Sequence, residues 1–333
     1  MDSSDAPLHI GRAAARHGDR MRPIDSPPAQ DPVTTPGAAA AAPFDPPFDI
    51  LEPGTLDSPL VFSSPHSGSL YPVCFTQIAR LDAQALRRSE DAYVDDLFMG
   101  ALSVGAPLLR ARFPRAWLDV NREPYELDPR MFDGRLPSFA NTRSIRVAGG
   151  LGTIARVVGE ALEIYAGRLS VAEALARVDT LYKPYHEALR TLLERARDRF
   201  GVAILVDCHS MPSSATRSFS GADSARIDMV LGDRFGASCG RLYIDVAEAE
   251  LVARGYRVSR NKPYAGGYIT ESYGNPGAGW HALQIEINRG LYMDEKSIEK
   301  GPGFDKLKRD LGDMAHALAA AAGPAQSQRA AAE

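Results

Sequence analysis

The 333-residue chain is 44% hydrophobic and 24% charged, with Lys+Arg 38 against Asp+Glu 42 and a formal net charge of -4. That is the composition of a folded soluble chain, long enough for one large domain or two small ones. It excludes a basic nucleic-acid binder, and no apolar run approaches the roughly 18 residues of a membrane span. Cys74, Cys208 and Cys239 are odd in number and far apart. They make neither a disulfide framework nor a paired-cysteine zinc site, so any metal here is held by histidine and carboxylate.

In chain order, residues 1–43 are rich in Pro, Ala, Asp and Arg without periodicity and read as a disordered leader. His9 and His17 fall inside it, and a segment without fixed geometry does not hold ligands. The leader lacks a basic start, apolar core and small-residue cleavage site, which sets the cytoplasm as the expected compartment. Residues 44–320 are expected to form one domain without a linker-like break, and 321–333 a frayed tail. The first strand is predicted over 59–65, running into Ser63-Ser64-Pro65-His66-Ser67-Gly68. Residues 72–77 read as a loop, and 82–88 begin a helical patch that Ser89-Glu90-Asp91 interrupts. Tyr93, Leu97 and Leu102 keep helical spacing through Val104, and Gly105 closes that helix.

Further strands are predicted over 107–112 and 116–120, the latter ending in Asn121-Arg122-Glu123-Pro124. Residues 128–152 are loop-like, and a loop of that length in a compact domain tends to border function. Residues 170–200 are strongly helical, with Pro184 marking a kink or a join. Val202 to Val206 then lead into Asp207-Cys208-His209-Ser210, the pattern of a buried strand in a parallel sheet. A Gly/Ser-rich loop (212–222), a strand (227–231), a helix (241–254), a short strand (256–258) and a stretch containing Gly266-Gly267 and Gly274 (263–276) follow. A strand over 282–287 contains Glu286, and a last helix spans 303–319. Strands entered after helices predict an α/β fold: a single domain with a central mixed or parallel sheet and helices on both faces.

Catalytic groups in such sheets gather at the carboxyl ends of the strands, where His66 and His209 both fall. A catalytic zinc takes three protein ligands and a water. The third ligand would be Asp91 or Glu90, although both acids also suit a helix N-terminus. Asp207, two residues from His209 on a strand, points to the same side and would orient the imidazole. Glu286 lies inside an apolar strand, where a carboxylate is costly unless paired or used. Burial would raise its pKa into the range of a general base; the plainer alternative is a buried pair with Arg289. Arg122 and Asn121 suit a grip on a substrate carboxylate, and Arg115 suits an oxyanion. Ordinary pairing with Asp119 or Glu123 competes with both roles. Gly236-Ala237-Ser238-Cys239-Gly240 fits G-x-S-x-G, but Gly232-Asp233-Arg234 intervenes after the preceding strand, where a nucleophile elbow needs direct continuity. Ser238 is expected to be a helix N-cap.

Taken in order, Ser64-Pro65-His66-Ser67-Gly68, Arg88-Ser89-Glu90-Asp91, residues 115–122, Asp207-Cys208-His209-Ser210-Met211-Pro212, Gly232-Asp233-Arg234, Gly266-Gly267-Tyr268-Ile269-Thr270 and Glu286-Ile287-Asn288-Arg289 resemble the N-formylglutamate amidohydrolase family over about residues 58–315. The resemblance implies a phosphorylase/hydrolase-like, zinc carboxypeptidase-like α/β domain. It implies cleavage of N-formyl-L-glutamate, a small-molecule N-acyl amino acid, to glutamate and formate in histidine breakdown. It also implies one Zn2+ per chain held by His66, Asp91 and His209, with Glu286 as base and Arg122 with Asn121 on the substrate carboxylate. The carboxypeptidase group has Glu three residues after its first His; here Ser69 stands there, so the acid ligand comes from elsewhere. Manganese, iron, cobalt and nickel share this ligand chemistry. His186, in Lys183-Pro184-Tyr185-His186, also matches the family pattern and equally suits a core helix. The rival readings are an amidase or carboxypeptidase for another N-acyl amino acid or short peptide, and a relative that binds without turnover.

Overall fold

Seven strands form the central sheet: β1 (Phe48–Leu51), β2 (Leu60–Ser64), β3 (Leu108–Ala111), β4 (Ala203–Met211), β5 (Met229–Gly232), β6 (Val258–Arg260) and β7 (Trp280–Asn288). Their order is β1-β3-β2-β4-β7-β5-β6. The four central strands β3, β2, β4 and β7 run parallel. β1 is antiparallel to β3, and the β5–β6 pair runs antiparallel to β7. This computed structural model describes residues 43–216 and 226–323. The leader up to residue 42 with His9 and His17, the tail beyond 323, and the later part of the 212–222 loop lie outside those residues.

Side chains alternate across the central strands, and each set joins a separate core. Val61, Leu205 and Ala282 pack with helix α1 (Lys183–Phe200) through Leu189, Leu192 and Leu193. Phe62, Val206 and Ile285 pack on the opposite face with α2 (Arg241–Ala253) and α3 (Phe304–Ala321) through Ile244, Leu251, Leu307 and Leu311. The sheet is mixed and has helices on both faces, as the alternation of elements predicts. Among the described residues no helix is long and apolar enough to cross a membrane.

Several expectations need correcting. Residues 116–120 form no strand. Trp117 N and Leu118 N bond back to Pro114 O, and Asp119 N donates to Thr153 O. The carbonyls of Ala116, Trp117 and Val120 accept from Tyr165, Arg177 and His186. The run is apolar because side chains from elsewhere enclose it, a condition that mimics a buried strand in sequence. Residues 72–77 are largely helical (Val73–Ile78), held by the burial of Phe75 in the core. The glycine-containing stretch 263–276, given no element in the sequence, contains the helix Tyr268–Tyr273. The helix expected over 93–104 is split: Val94–Leu97 is α-helical, Met99–Val104 is 3-10, and Gly105 at φ 69 ends it.

The strand predicted over 202–206 continues to Met211, so Asp207 and His209 lie within it. The long helix has a π-helical turn at Val178–Tyr182, directly before Lys183-Pro184. Gly240, not Ser238, is the N-cap of α2. The Ser238 hydroxyl is buried and donates to Ala282 O, so it is not poised as a nucleophile.

Arg177 does much to fix the 115–122 turn. Its guanidinium lies 3.4 Å from the centre of the Trp117 ring, and Nη1 donates to Trp117 O and to the Tyr165 hydroxyl. Arg177→Met removes charge-assisted bonds to buried acceptors. It is expected to lower stability by about 2 kcal/mol in chemical denaturation; an unchanged midpoint would show that the turn holds itself.

Candidate metal centre

The site lies on one sheet face, near the carboxyl ends of the central strands. Position by position, Ser63, Asp207 and His209, and Gln284 and Glu286, continue the face that deeper down carries Val61, Leu205 and Ala282. Glu286 is the register partner of His209, and Gln284 of Asp207. His66 follows β2, and its carbonyl accepts from Asp91 N at 3.0 Å. That bond brings the turn after Arg87–Ser89 against the strand end.

His66, Asp91 and His209 converge, all buried, with one candidate ligand atom each inside a span of 4.8 Å. Asp91 Oδ2 lies 3.0 Å from His209 Nδ1 and 3.4 Å from His66 Nδ1. These separations match the edge of about 3.3 Å of a tetrahedral site with bonds of roughly 2.0–2.1 Å. Each imidazole is oriented from behind. His66 Nε2 donates to Asp119 Oδ1 at 2.8 Å, and His209 Nε2 faces Asp207 Oδ2 at 3.0 Å. The Asp119 carboxylate behind His66 favours the tautomer in which its Nδ1 carries the lone pair. His66 Nδ1 is then a buried polar atom without a hydrogen bond, aimed at a carboxylate. A cation between these atoms satisfies all three, so the donor set fits a divalent metal.

The electrostatics agree. Burial would raise Asp91, but the His209 and His66 imidazoles hold it well below the usual carboxylate range. Burial would lower His209, but Asp207 and Asp91 raise it well above the usual histidine value. Burial would likewise raise Asp119, which Arg115, Arg122 and His66 keep well below its usual value. Glu286 is pushed up to about 7, chiefly by burial, with the His209 and Arg115 charges opposing. Gln284 Nε2 donates to Glu286 Oε1 at 2.8 Å, and Gln284 Oε1 accepts from Gly267 N at 2.7 Å.

Of the two neighbouring acids, Asp91 enters the cluster. Glu90 turns away and pairs with Arg87 at 3.0 Å. Arg289 pairs with Asp91 at 3.0 Å, not with Glu286. Arg115 Nε donates to Asp119 Oδ2 at 2.9 Å. Arg122 gives Nε to Leu151 O and Nη1 to Asn121 O, and burial lowers it to about 10.

Both ends of the Asn121 carboxamide meet protein partners: Nδ2 donates to Asp207 Oδ2, and Oδ1 accepts from Ile269 N. A Cβ on Gly267 would lie 2.5 Å from Asn121 Oδ1, so the glycine pair is what lets this loop close on the site. His186 is buried and satisfied, by Val120 O on Nε2 and the Tyr273 hydroxyl on Nδ1. The sequence presents Asp119 only as a partner for arginine and does not single out Ser210 or Gln284. An acid at Asp119 inside an apolar run carried the same signal as Glu286.

The cluster and Glu286 open into a cavity of about 650 Å³, which Arg88, Arg115, Arg122, Arg146 and Arg289 also line. Gly149 and Leu151, from the long loop expected to border the site, line it too.

The family model for N-formylglutamate amidohydrolase matches residues 58–293. The chain belongs to this family. The N-formylglutamate deformylase of Pseudomonas putida is 30% identical over 71% of this chain and 82% of its own length. That of Pseudomonas aeruginosa is 32% identical over 72% and 84%. The crystal structure of N-formylglutamate amidohydrolase from Ralstonia eutropha JMP134 is 38% identical, with a TM-score of 0.78 over 82% of this chain and 97% of that one. Family membership and the ligand geometry agree on a hydrolase. His209→Ala is expected to abolish stoichiometric zinc in the purified protein by elemental analysis; full metal content in that variant would remove His209 from the ligand set.

Proposed function

We propose that the protein hydrolyses the formamide bond of N-formyl-L-glutamate to formate and L-glutamate, using a divalent cation, zinc first, held by His66, Asp91 and His209. The observation that carries this reading is the pairing of Glu286 with His209 across β4 and β7: a carboxyl pushed to about 7 stands beside the ligands in one cavity. A cation bound there supplies Lewis acidity, polarising the amide carbonyl and making water a better nucleophile.

Glu286 takes the proton of the attacking water and passes it to the amide nitrogen, which leaves as the glutamate amine. Gln284 holds Oε1 of Glu286 and so directs Oε2 to the water. Arg115 is anchored on Asp119 through Nε, which leaves its Nη atoms for negative charge on the carbonyl oxygen. Arg122 holds a substrate carboxylate, and the other arginines of the wall suit a substrate with two such groups. We assign Asn121 to holding Asp207 and the 268–273 helix in place, because its carboxamide is already engaged. The reading carries with it a step in histidine breakdown and a cytoplasmic location.

The cavity volume favours one further possibility. At about 650 Å³ it falls within the range of sites for larger ligands, so an acyl group bulkier than formyl would fit. Release of the free amino acid from N-formyl-L-glutamate, N-acetyl-L-glutamate and N-formyl-L-leucine, measured side by side, decides between these. The highest kcat/KM is expected for N-formyl-L-glutamate, and preference for the acetyl compound would reassign the acyl pocket.

Glu286→Gln is expected to retain metal and lose turnover by about 10²–10⁴-fold; full activity would remove Glu286 from the mechanism. The base acts deprotonated, so the rate falls as pH drops through its pKa. A nearby cation favours the carboxylate, which places the acid limb of kcat/KM below pH 7. An acid limb well above 7 would contradict the assignment.

A further inference from the structure

Asp91 uses its two oxygens differently. Oδ2 faces the imidazole nitrogens, at 3.0 Å from His209 Nδ1 and 3.4 Å from His66 Nδ1. Oδ1 faces the other way, accepting from Arg289 Nη2 at 3.0 Å and from Ser210 Oγ at 3.3 Å. Arg289 is itself held: Nε donates to Ser210 Oγ at 3.1 Å and Nη1 to Arg88 O at 3.0 Å. It is 6% exposed and directly follows β7, the strand that carries Glu286. The guanidinium, hydroxyl and carboxylate oxygen close a ring of hydrogen bonds on the side of Asp91 away from the imidazoles.

We infer that Arg289, with Ser210, is a positioning residue that makes Asp91 a one-oxygen ligand and tunes the centre toward a small cation of low coordination number, zinc over manganese. The inference rests on the metal reading of the cluster. A carboxylate that chelates with both oxygens suits cations taking six or more oxygen ligands. A tetrahedral cation with two imidazoles and a water has one position left for oxygen. A charge-assisted hydrogen bond to Oδ1 keeps that atom out of the coordination sphere. Removing the guanidinium also makes the site more negative, which favours any divalent cation. Absolute affinity therefore mixes two effects, whereas the ratio of zinc to manganese affinity isolates the geometric one.

Chelator competition on the metal-stripped full-length protein measures both affinities. Arg289→Met, similar in length but without donors, is expected to lower the zinc-to-manganese ratio by about tenfold. Ser210→Ala should move it the same way by less, and Arg289→Lys should restore most of it. Should Arg289→Met fail to fold, Ser210→Ala and Arg289→Lys carry the comparison. An unchanged ratio in variants that still bind zinc overturns this inference and leaves the metal centre standing. A wild-type protein that binds neither ion overturns the centre and the inference with it.

Discussion

Two imidazole nitrogens and one carboxylate oxygen are held face to face among buried groups, an arrangement that calls for positive charge on or between them. Asp119 and Asp207 enforce it from behind by claiming the far nitrogens of His66 and His209. Relaxation is blocked because each acid is itself pinned, Asp119 by Arg115 and the Asn121 amide, and Asp207 by the Asn121 carboxamide. Burying so many charges is costly unless each is paired, and a cation among these three atoms would complete the pairing.

The fold supplies this arrangement with little moving material. Three of the groups ride on the same face of neighbouring parallel strands, so the pleat and the register set their spacing. His66 and Asp91 come from turns tied to each other by a backbone bond. The 115–122 segment is irregular, yet buried donors from Tyr165 and from the helical stretch 171–186 hold its carbonyls. Tyr182, at the end of the π-helical turn, donates to Arg122 O, and His186 to Val120 O. That gives His186 a reason to sit in the core without touching the chemistry: it fixes the turn that aims Asp119 and Asn121.

Much of this was legible in the sequence, and the rest was hidden for identifiable reasons. Apolar runs ending in His66, in His209 and around Glu286 mark β2, β4 and β7, because two-sided burial leaves a continuous apolar signature. The same signature misled at 116–120, where enclosure by side chains, not by neighbouring strands, makes the run apolar. The short helix at Val73–Ile78 has no stripe to read and depends on Phe75 finding the core. The links that complete the site join residues far apart: Asn121 to Asp207 across 86 positions, and Asp91 to Arg289 across 198. No local pattern encodes such a bond. The choice of Asp91 over Glu90 is of this kind, since Asp91 meets His209 and Arg289, 118 and 198 positions away.

The centre can be tested without turnover. X-ray absorption at the zinc edge, on protein loaded with one equivalent of zinc, reports the atoms bound to the ion. The account predicts two imidazole nitrogens and one carboxylate oxygen at about 2.0–2.1 Å, with a further light atom from solvent. A sulfur neighbour, or fewer than two imidazoles, would contradict it.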